Sequence, residues 1–107
     1  MKKIAWMSFD LGVQGDYEGL YRWLDAQGAR ECGDNLALFS FASKKDLPAE
    51  VKASVEKSVE IDARSRIYLI FMGKDRKMKG RFLFGQRRPA PWAGSAPAKG
   101  PIEDDEG

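Results

Sequence analysis

The chain contains no histidine and a single cysteine, Cys32. Without histidine, the Ser-His-Asp and Cys-His catalytic arrangements, histidine-containing zinc sites and the usual general base near neutral pH are excluded. A single cysteine forms no internal disulfide and holds no zinc alone, so Cys32 is expected to be a free cytosolic thiol. Catalysis would have to use carboxylates, Lys, Tyr or a hard metal such as Mg²⁺ bound by carboxylates.

Long hydrophobic runs are also missing from the chain. No stretch approaches the roughly 20 apolar residues of a membrane helix, so we expect a cytoplasmic protein with no membrane contact. The 107 residues, of which 43% are hydrophobic, are enough for one domain with one core.

Hydrophobic periodicity predicts an α+β domain. The apolar run IAWMSFDL (4–11) reads as a central strand covered on both faces. The predicted elements are a strand over 3–11, a helix over 17–27, a short strand over 30–32, a strand over 36–42, a helix over 48–61, and strands over 66–72 and 81–86. The order βαβ(β)αββ predicts a ferredoxin-like fold, an antiparallel sheet with two helices on one face.

Composition divides the chain near residue 88. Residues 1–88 are predicted to form the ferredoxin-like domain. Residues 89–107 are rich in Pro, Ala and Gly and end in acids, so they are predicted to be a mostly disordered tail. Trp92 is the exception, because a lone tryptophan in such a segment often docks onto something.

Positive charge is concentrated after the third long strand. Seven bases lie between residues 74 and 88, opposed only by Asp75. They are the candidate nucleic-acid-binding residues: Lys74, Arg76, Lys77, Lys79, Arg81, Arg87 and Arg88. Phe82 and Phe84 alternate with them and could stack RNA or DNA bases. The alternative is a solvated hairpin tip with both phenylalanines facing the core.

Several segments together resemble a known family. They are WMSFDL, the loop and helix GVQGDYEGLYRWLDAQGA, the strand GDNLALFSF, and IDARSRIYLI. Over residues 3–72 this pattern resembles the SinR-like proteins and, more distantly, the small ferredoxin-fold subunit of the CRISPR spacer-integration machinery and its VapD-like toxin relatives. The resemblance implies a homodimer. In the nuclease members of this superfamily the residue that matches Asp10 binds a divalent metal with its twin, so the resemblance offers a Mg²⁺-dependent endonuclease as one expectation.

The two candidate metal ligands each have a structural alternative. Asp10 could hold Mg²⁺ as a catalytic residue, or it could cap the turn beside Gly12. Asp16 could be a second metal ligand, or the N-cap of the first helix. The leading hypothesis is a nucleic-acid-associated homodimer, with cleavage left open. The rival hypothesis is a non-catalytic module that presents the basic hairpin and the tail to a protein partner, and a small-ligand sensor is a third.

Overall fold

The computed structural model describes residues 2–97, so the acidic end of the predicted tail lies outside the described residues. Within that range the chain forms two helices and five strands. They are β1 (Lys2–Asp10), α1 (Tyr17–Ala26), β2 (Arg30–Glu31), β3 (Leu36–Ala42), α2 (Leu47–Ser58), β4 (Arg66–Met72) and β5 (Met78–Phe84).

The strands form one antiparallel sheet in the order β2-β3-β1-β4-β5. Strand β1 lies in the middle, between β3 and β4. The first four strands in this order, joined through α1 and α2, form the predicted ferredoxin-like α+β arrangement. Strand β5 follows β4 by a hairpin and becomes an edge of the sheet. The fold prediction is therefore confirmed, with IAWMSFDL at the centre.

The sheet has one covered face and one open face. On β1, the side chains of Ala5, Met7 and Phe9 face the helices and are at most 6% exposed. The other core residues are Leu11, Leu20, Trp23, Leu24, Ala37, Phe39, Leu47, Val51, Val55, Val59, Ile67, Leu69, Phe71 and Leu83. Within residues 2–97 no helix or strand covers the other face, where Ile4 is 61% exposed. The expectation that β1 is covered on both faces is wrong, because both helices lie on the same side.

Helix α1 begins and ends at the signals read from the sequence. The Asp16 Oδ1 atom accepts the Gly19 backbone N–H at 2.9 Å, as expected of an N-cap. Its Oδ2 atom accepts the Glu60 backbone N–H at 2.9 Å, which ties the start of α1 to the segment after α2. These bonds, first Glu60 and then Gly19, lower the pKa of Asp16. Gly28, with φ of +68°, follows the C-cap.

The loop before α2 wraps around a carboxylate. Glu50 accepts the backbone N–H groups of Lys44 at 2.8 Å, Lys45 at 3.0 Å and Asp46 at 2.7 Å, and the Ser43 hydroxyl at 3.1 Å. These bonds, that of Lys44 foremost, lower the pKa of Glu50 from its ordinary 4.5 to about 2. The charged form of Glu50 therefore organises the connection between β3 and α2.

Two predicted boundaries are wrong by three residues, and the others differ from the structure by at most two. Helix α2 was expected to reach residue 61, but it ends at Ser58 because Val59 is extended, with φ of −126°. Strand β5 starts at Met78 rather than at residue 81. The turn that precedes it is tight, since the Gly73 N–H donates to the Lys77 carbonyl oxygen at 2.8 Å, and so three more residues pair with β4.

Residues 89–97 are exposed apart from the half-buried Ala90, and they contain turns. The Ala93 N–H donates to the Ala90 carbonyl oxygen at 3.0 Å, and the Ser95 N–H to that of Trp92 at 2.9 Å. Neither helix of the described chain is long and apolar enough to cross a membrane.

We expect Glu50→Gln to lower thermal stability at neutral pH, because glutamine cannot accept all four bonds as a charged carboxylate does. The folded-state pKa of Glu50 is depressed, so its contribution is complete above about pH 4.5 and disappears as the pH falls towards 2. The difference in melting temperature between wild type and variant should therefore shrink over that window. Glu56→Gln, at an exposed position of the same helix, is the control. An equal difference at pH 7 and pH 2.5 would contradict the assignment.

Candidate functional site

The open face of the sheet changes character along its strands. At one end Ile4, Met72 and Met78 are each more than half exposed, and the register places Met72 opposite Met78. At the other end of the same face, Tyr68 lies opposite Phe82, and Asp10 lies opposite Arg66. We call these regions the apolar end and the aromatic–cation site. The aromatic–cation site is a groove of about 380 Å³ lined by Ser8, Asp10, Arg66, Tyr68, Phe82, Arg87 and Trp92.

Two aromatic rings form the floor of the aromatic–cation site. The rings of Tyr68 and Phe82 meet edge to face, with centroids 4.7 Å apart. Tyr68 also covers Gly80 of the neighbouring strand. A Cβ atom at Gly80 would lie 2.5 Å from Cζ and 2.7 Å from Cε2 of Tyr68. The absence of a side chain at Gly80 therefore lets the tyrosine ring lie against the sheet.

Two guanidinium groups lie over these rings. The Arg87 Cζ atom is 5.8 Å from the Tyr68 centroid and 5.7 Å from that of Phe82, and the Arg66 Cζ atom is 5.5 Å from the Phe82 centroid. The Arg66 Nε–H donates to the Gln86 carbonyl oxygen at 3.1 Å, which fixes the direction of that side chain. Positive charge and exposed aromatic surface are thus combined in one groove.

Asp10 lines the same groove, and its side chain caps a turn. Its Oδ1 atom accepts the Gly12 N–H at 3.0 Å, and Gly12 has φ of +78°. Both carboxylate oxygens of Asp16 accept backbone N–H groups at the ends of the helices. In the part of the chain that the structure describes, no three acidic or cysteine side chains are grouped to hold a metal ion. The structural alternatives for Asp10 and Asp16 are both observed, and their Mg²⁺ roles stay predictions.

Five of the seven candidate nucleic-acid-binding bases line one of two grooves. Arg87 lines the aromatic–cation site. Arg88, the next residue in the sequence, is exposed. Four others line a second groove of about 840 Å³ between the β4–β5 hairpin and the start of α2, which we call the hairpin groove, while Lys77 is exposed in the hairpin turn. The cations that line the hairpin groove are Lys3, Lys45, Lys74, Arg76, Lys79 and Arg81.

Sequence reasoning missed part of both grooves. Tyr68 was assigned to the core or a dimer interface, and Arg66 was not considered. The alternation of β4 could have indicated them, since Arg66, Tyr68 and Ile70 lie on the face opposite to buried Ile67 and Leu69. Lys3 and Lys45 are distant in sequence from the basic hairpin, so only the fold brings them to it.

The two phenylalanines of β5 have different environments. The ring of Phe82 lies on the open face with Tyr68 and the guanidinium groups. Phe84 packs partly against the core, with the Lys52 Nζ atom of α2 at 5.5 Å from its ring centroid. Of the two alternatives considered for this pair, the base-stacking one is therefore available to Phe82, and the core-facing one describes Phe84.

Comparisons with protein-family models, with curated proteins and with solved structures found no match to this chain. The resemblance to the SinR-like proteins therefore stays a prediction.

Proposed function

We propose that the protein binds single-stranded nucleic acid at the aromatic–cation site. The observation that carries this proposal is the pairing of Tyr68 and Phe82 on an uncovered sheet face with Arg66 and Arg87 over their rings. Unpaired bases stack on aromatic side chains and on guanidinium planes, and arginine also binds phosphate. A duplex keeps its bases stacked inside, so it offers this groove only its backbone.

The half-exposure of the rings supports ligand binding over a purely structural role. The side chains of Tyr68 and Phe82 are neither buried in the core nor covered by another element in residues 2–97. Trp92, which is 74% exposed at the rim of the same groove, supplies a third aromatic surface. This accounts for a tryptophan in a segment that otherwise contributes nothing to the core.

We expect Tyr68→Ala to weaken binding of oligothymidylate and oligouridylate by about 1–3 kcal/mol, the usual contribution of one stacked base. Gly80→Ala should weaken binding in the same direction, because the new Cβ displaces the ring while leaving its chemistry intact. Fluorescence anisotropy at low salt measures both effects, with DNA and RNA as separate probes. Lys57→Gln, on an exposed position of α2, is the control.

Two outcomes would contradict the proposal. One is an affinity of Tyr68→Ala equal to that of the wild type. The other is negligible binding of any single strand at low salt, which would favour the rival hypothesis of a protein-interaction module. Duplex of the same length should bind more weakly than single strand.

We also propose that two copies associate through the apolar end of the open face. Ile4 is 61% exposed, Met72 55% and Met78 52%, and half-buried Trp6 and Ile70 continue this surface towards the centre of the sheet. Contiguous exposed apolar surface of this kind is typical of protein interfaces. Association there leaves the aromatic–cation site at the other end of the strands.

We expect sedimentation at micromolar concentration to give a dimer for the wild type, and Met72→Lys to shift it towards the monomer of 12.0 kDa. A charge placed in an apolar interface loses its hydration, which disfavours association. Val13→Lys, at a loop residue that is 98% exposed, is the control. A wild-type monomer would contradict the proposal.

The enzymatic version of the hypothesis has Mg²⁺ held by Asp10 from both copies. It needs the aromatic–cation ends of the two copies to meet, so it is an alternative to association through the apolar end. Asp10 already lines the groove that would bind the strand. Its Oδ2 atom makes no hydrogen bond within residues 2–97, and carboxylate oxygen is a Mg²⁺ ligand. Such an ion would polarise a phosphate and activate water.

We expect any Mg²⁺-dependent cleavage of RNA or DNA to be lost in Asp10→Ala while single-strand binding persists. Gel assays of end-labelled oligonucleotides with Mg²⁺ or with EDTA measure cleavage, and anisotropy measures binding. Asp25→Ala, at an exposed carboxylate of α1, is the control. Cleavage that survives Asp10→Ala would exclude this role.

A further inference from the structure

We infer that the hairpin groove extends the aromatic–cation site into one path, so that a single strand with bases stacked on Tyr68 and Phe82 crosses β5 and places further phosphates in the hairpin groove. This inference rests on the proposed function and adds the course of the strand. Strand β5 is an edge of the sheet, so its outer side pairs with no other strand within residues 2–97.

The alternation of β5 connects the two grooves. Phe82 and Gly80 lie on the open face, opposite Tyr68 and Ile70. Arg81 pairs with Leu69 and Lys79 with Phe71, so their side chains project on the side of the helices. The aromatic floor and the first cation of the hairpin groove are therefore adjacent residues of one strand. A ligand bound at Phe82 has only to cross this edge to reach Arg81.

The hairpin groove has a large excess of positive charge. Six cations line it, against the carboxylates of Asp46 and Asp75. Both carboxylates are engaged in their own turns, since Asp46 accepts the Ala49 N–H at 3.4 Å and Asp75 accepts the Lys77 N–H at 3.1 Å. The second Asp75 oxygen is 3.5 Å from the Lys79 Nζ atom. Surface ion pairs of this kind are weak, so Lys79 and the other five cations are all available for a ligand that carries several negative charges.

The backbone of the loop before α2 is not free to bind an anion in this groove. The Glu50 carboxylate occupies the backbone N–H groups of Lys44, Lys45 and Asp46. Attraction in the groove therefore comes from side-chain charges, which bind a phosphate backbone without reading its sequence. Along β5, Lys79 lies about 10 Å from Phe82 at about 3.3 Å per residue, and Lys74 and Arg76 of the turn lie beyond it. A short oligonucleotide therefore fills the first site, and a longer one is needed to fill both.

The test compares oligothymidylates and oligouridylates of about 3 and about 12 nucleotides, within the range of known single-strand sites. The variants are the double substitution Lys79→Gln with Arg81→Gln, and the charge-matched control Arg22→Gln with Lys57→Gln on the two helices. Anisotropy is measured over a series of salt concentrations, and thermal melting shows that each variant is folded. Tyr68→Ala is included as the marker of the aromatic–cation site.

We expect the double hairpin variant to lose affinity for the long oligonucleotide and to reduce its salt slope by about 1.4, since each phosphate contact on a single strand contributes about 0.7. Its affinity for the short oligonucleotide should stay within about twofold of the control. Tyr68→Ala should weaken both lengths.

One result would overturn the inference and leave the proposed function intact. In it, the double hairpin variant binds the long oligonucleotide with unchanged affinity and salt slope, while Tyr68→Ala still weakens binding. An equal loss at both lengths would also overturn it, because the hairpin cations would then belong to the first site. If Tyr68→Ala changes neither length, the proposed function itself fails, and the inference fails with it.

Discussion

The packing of both helices on one side of the central strand is the interaction on which the rest of this structure depends. Leu20 and Trp23 of α1 and Val51 and Val55 of α2 bury the odd-numbered side of β1 and its neighbours. Burial of this apolar area is the main stabilising contribution available to a chain of 107 residues. Because both helices are used on that side, the even-numbered side of the sheet has no cover within residues 2–97.

An uncovered sheet face is open to solvent and to ligands. Here it is divided: the end that carries Ile4 and Met72 is apolar, whereas the end that carries Tyr68 and Arg66 combines rings with charge. The two ends suit different ligands, a second apolar surface and an anion with stacking bases. Strand β5 connects the open face to a third surface, because its alternation places Phe82 on the open face and the cations Lys79 and Arg81 on the side of the helices.

Several carboxylates have structural roles within residues 2–97. Glu50 organises the loop before α2, and Asp16 joins the beginning of one helix to the end of the other. Sequence reasoning predicted the capping role of Asp16 from its place before a helix, and the turn-capping alternative for Asp10 from the glycine that follows. It did not predict the structural role of Glu50, because the four hydrogen-bond donors reach that carboxylate only in the folded loop.

The sequence alone determined the order of elements, the central position of β1 and the α+β class, because hydrophobic periodicity and turn residues are local signals. It also located the basic segment around Lys79 and the unusual Trp92. Only the tertiary structure decided which face of the sheet is open, since that depends on the side on which the helices pack. The tertiary structure also placed Tyr68 in one groove with Arg87, and Lys3 and Lys45 in the hairpin groove. Contacts between residues this far apart in sequence depend on the register of the strands and on the packing of the helices.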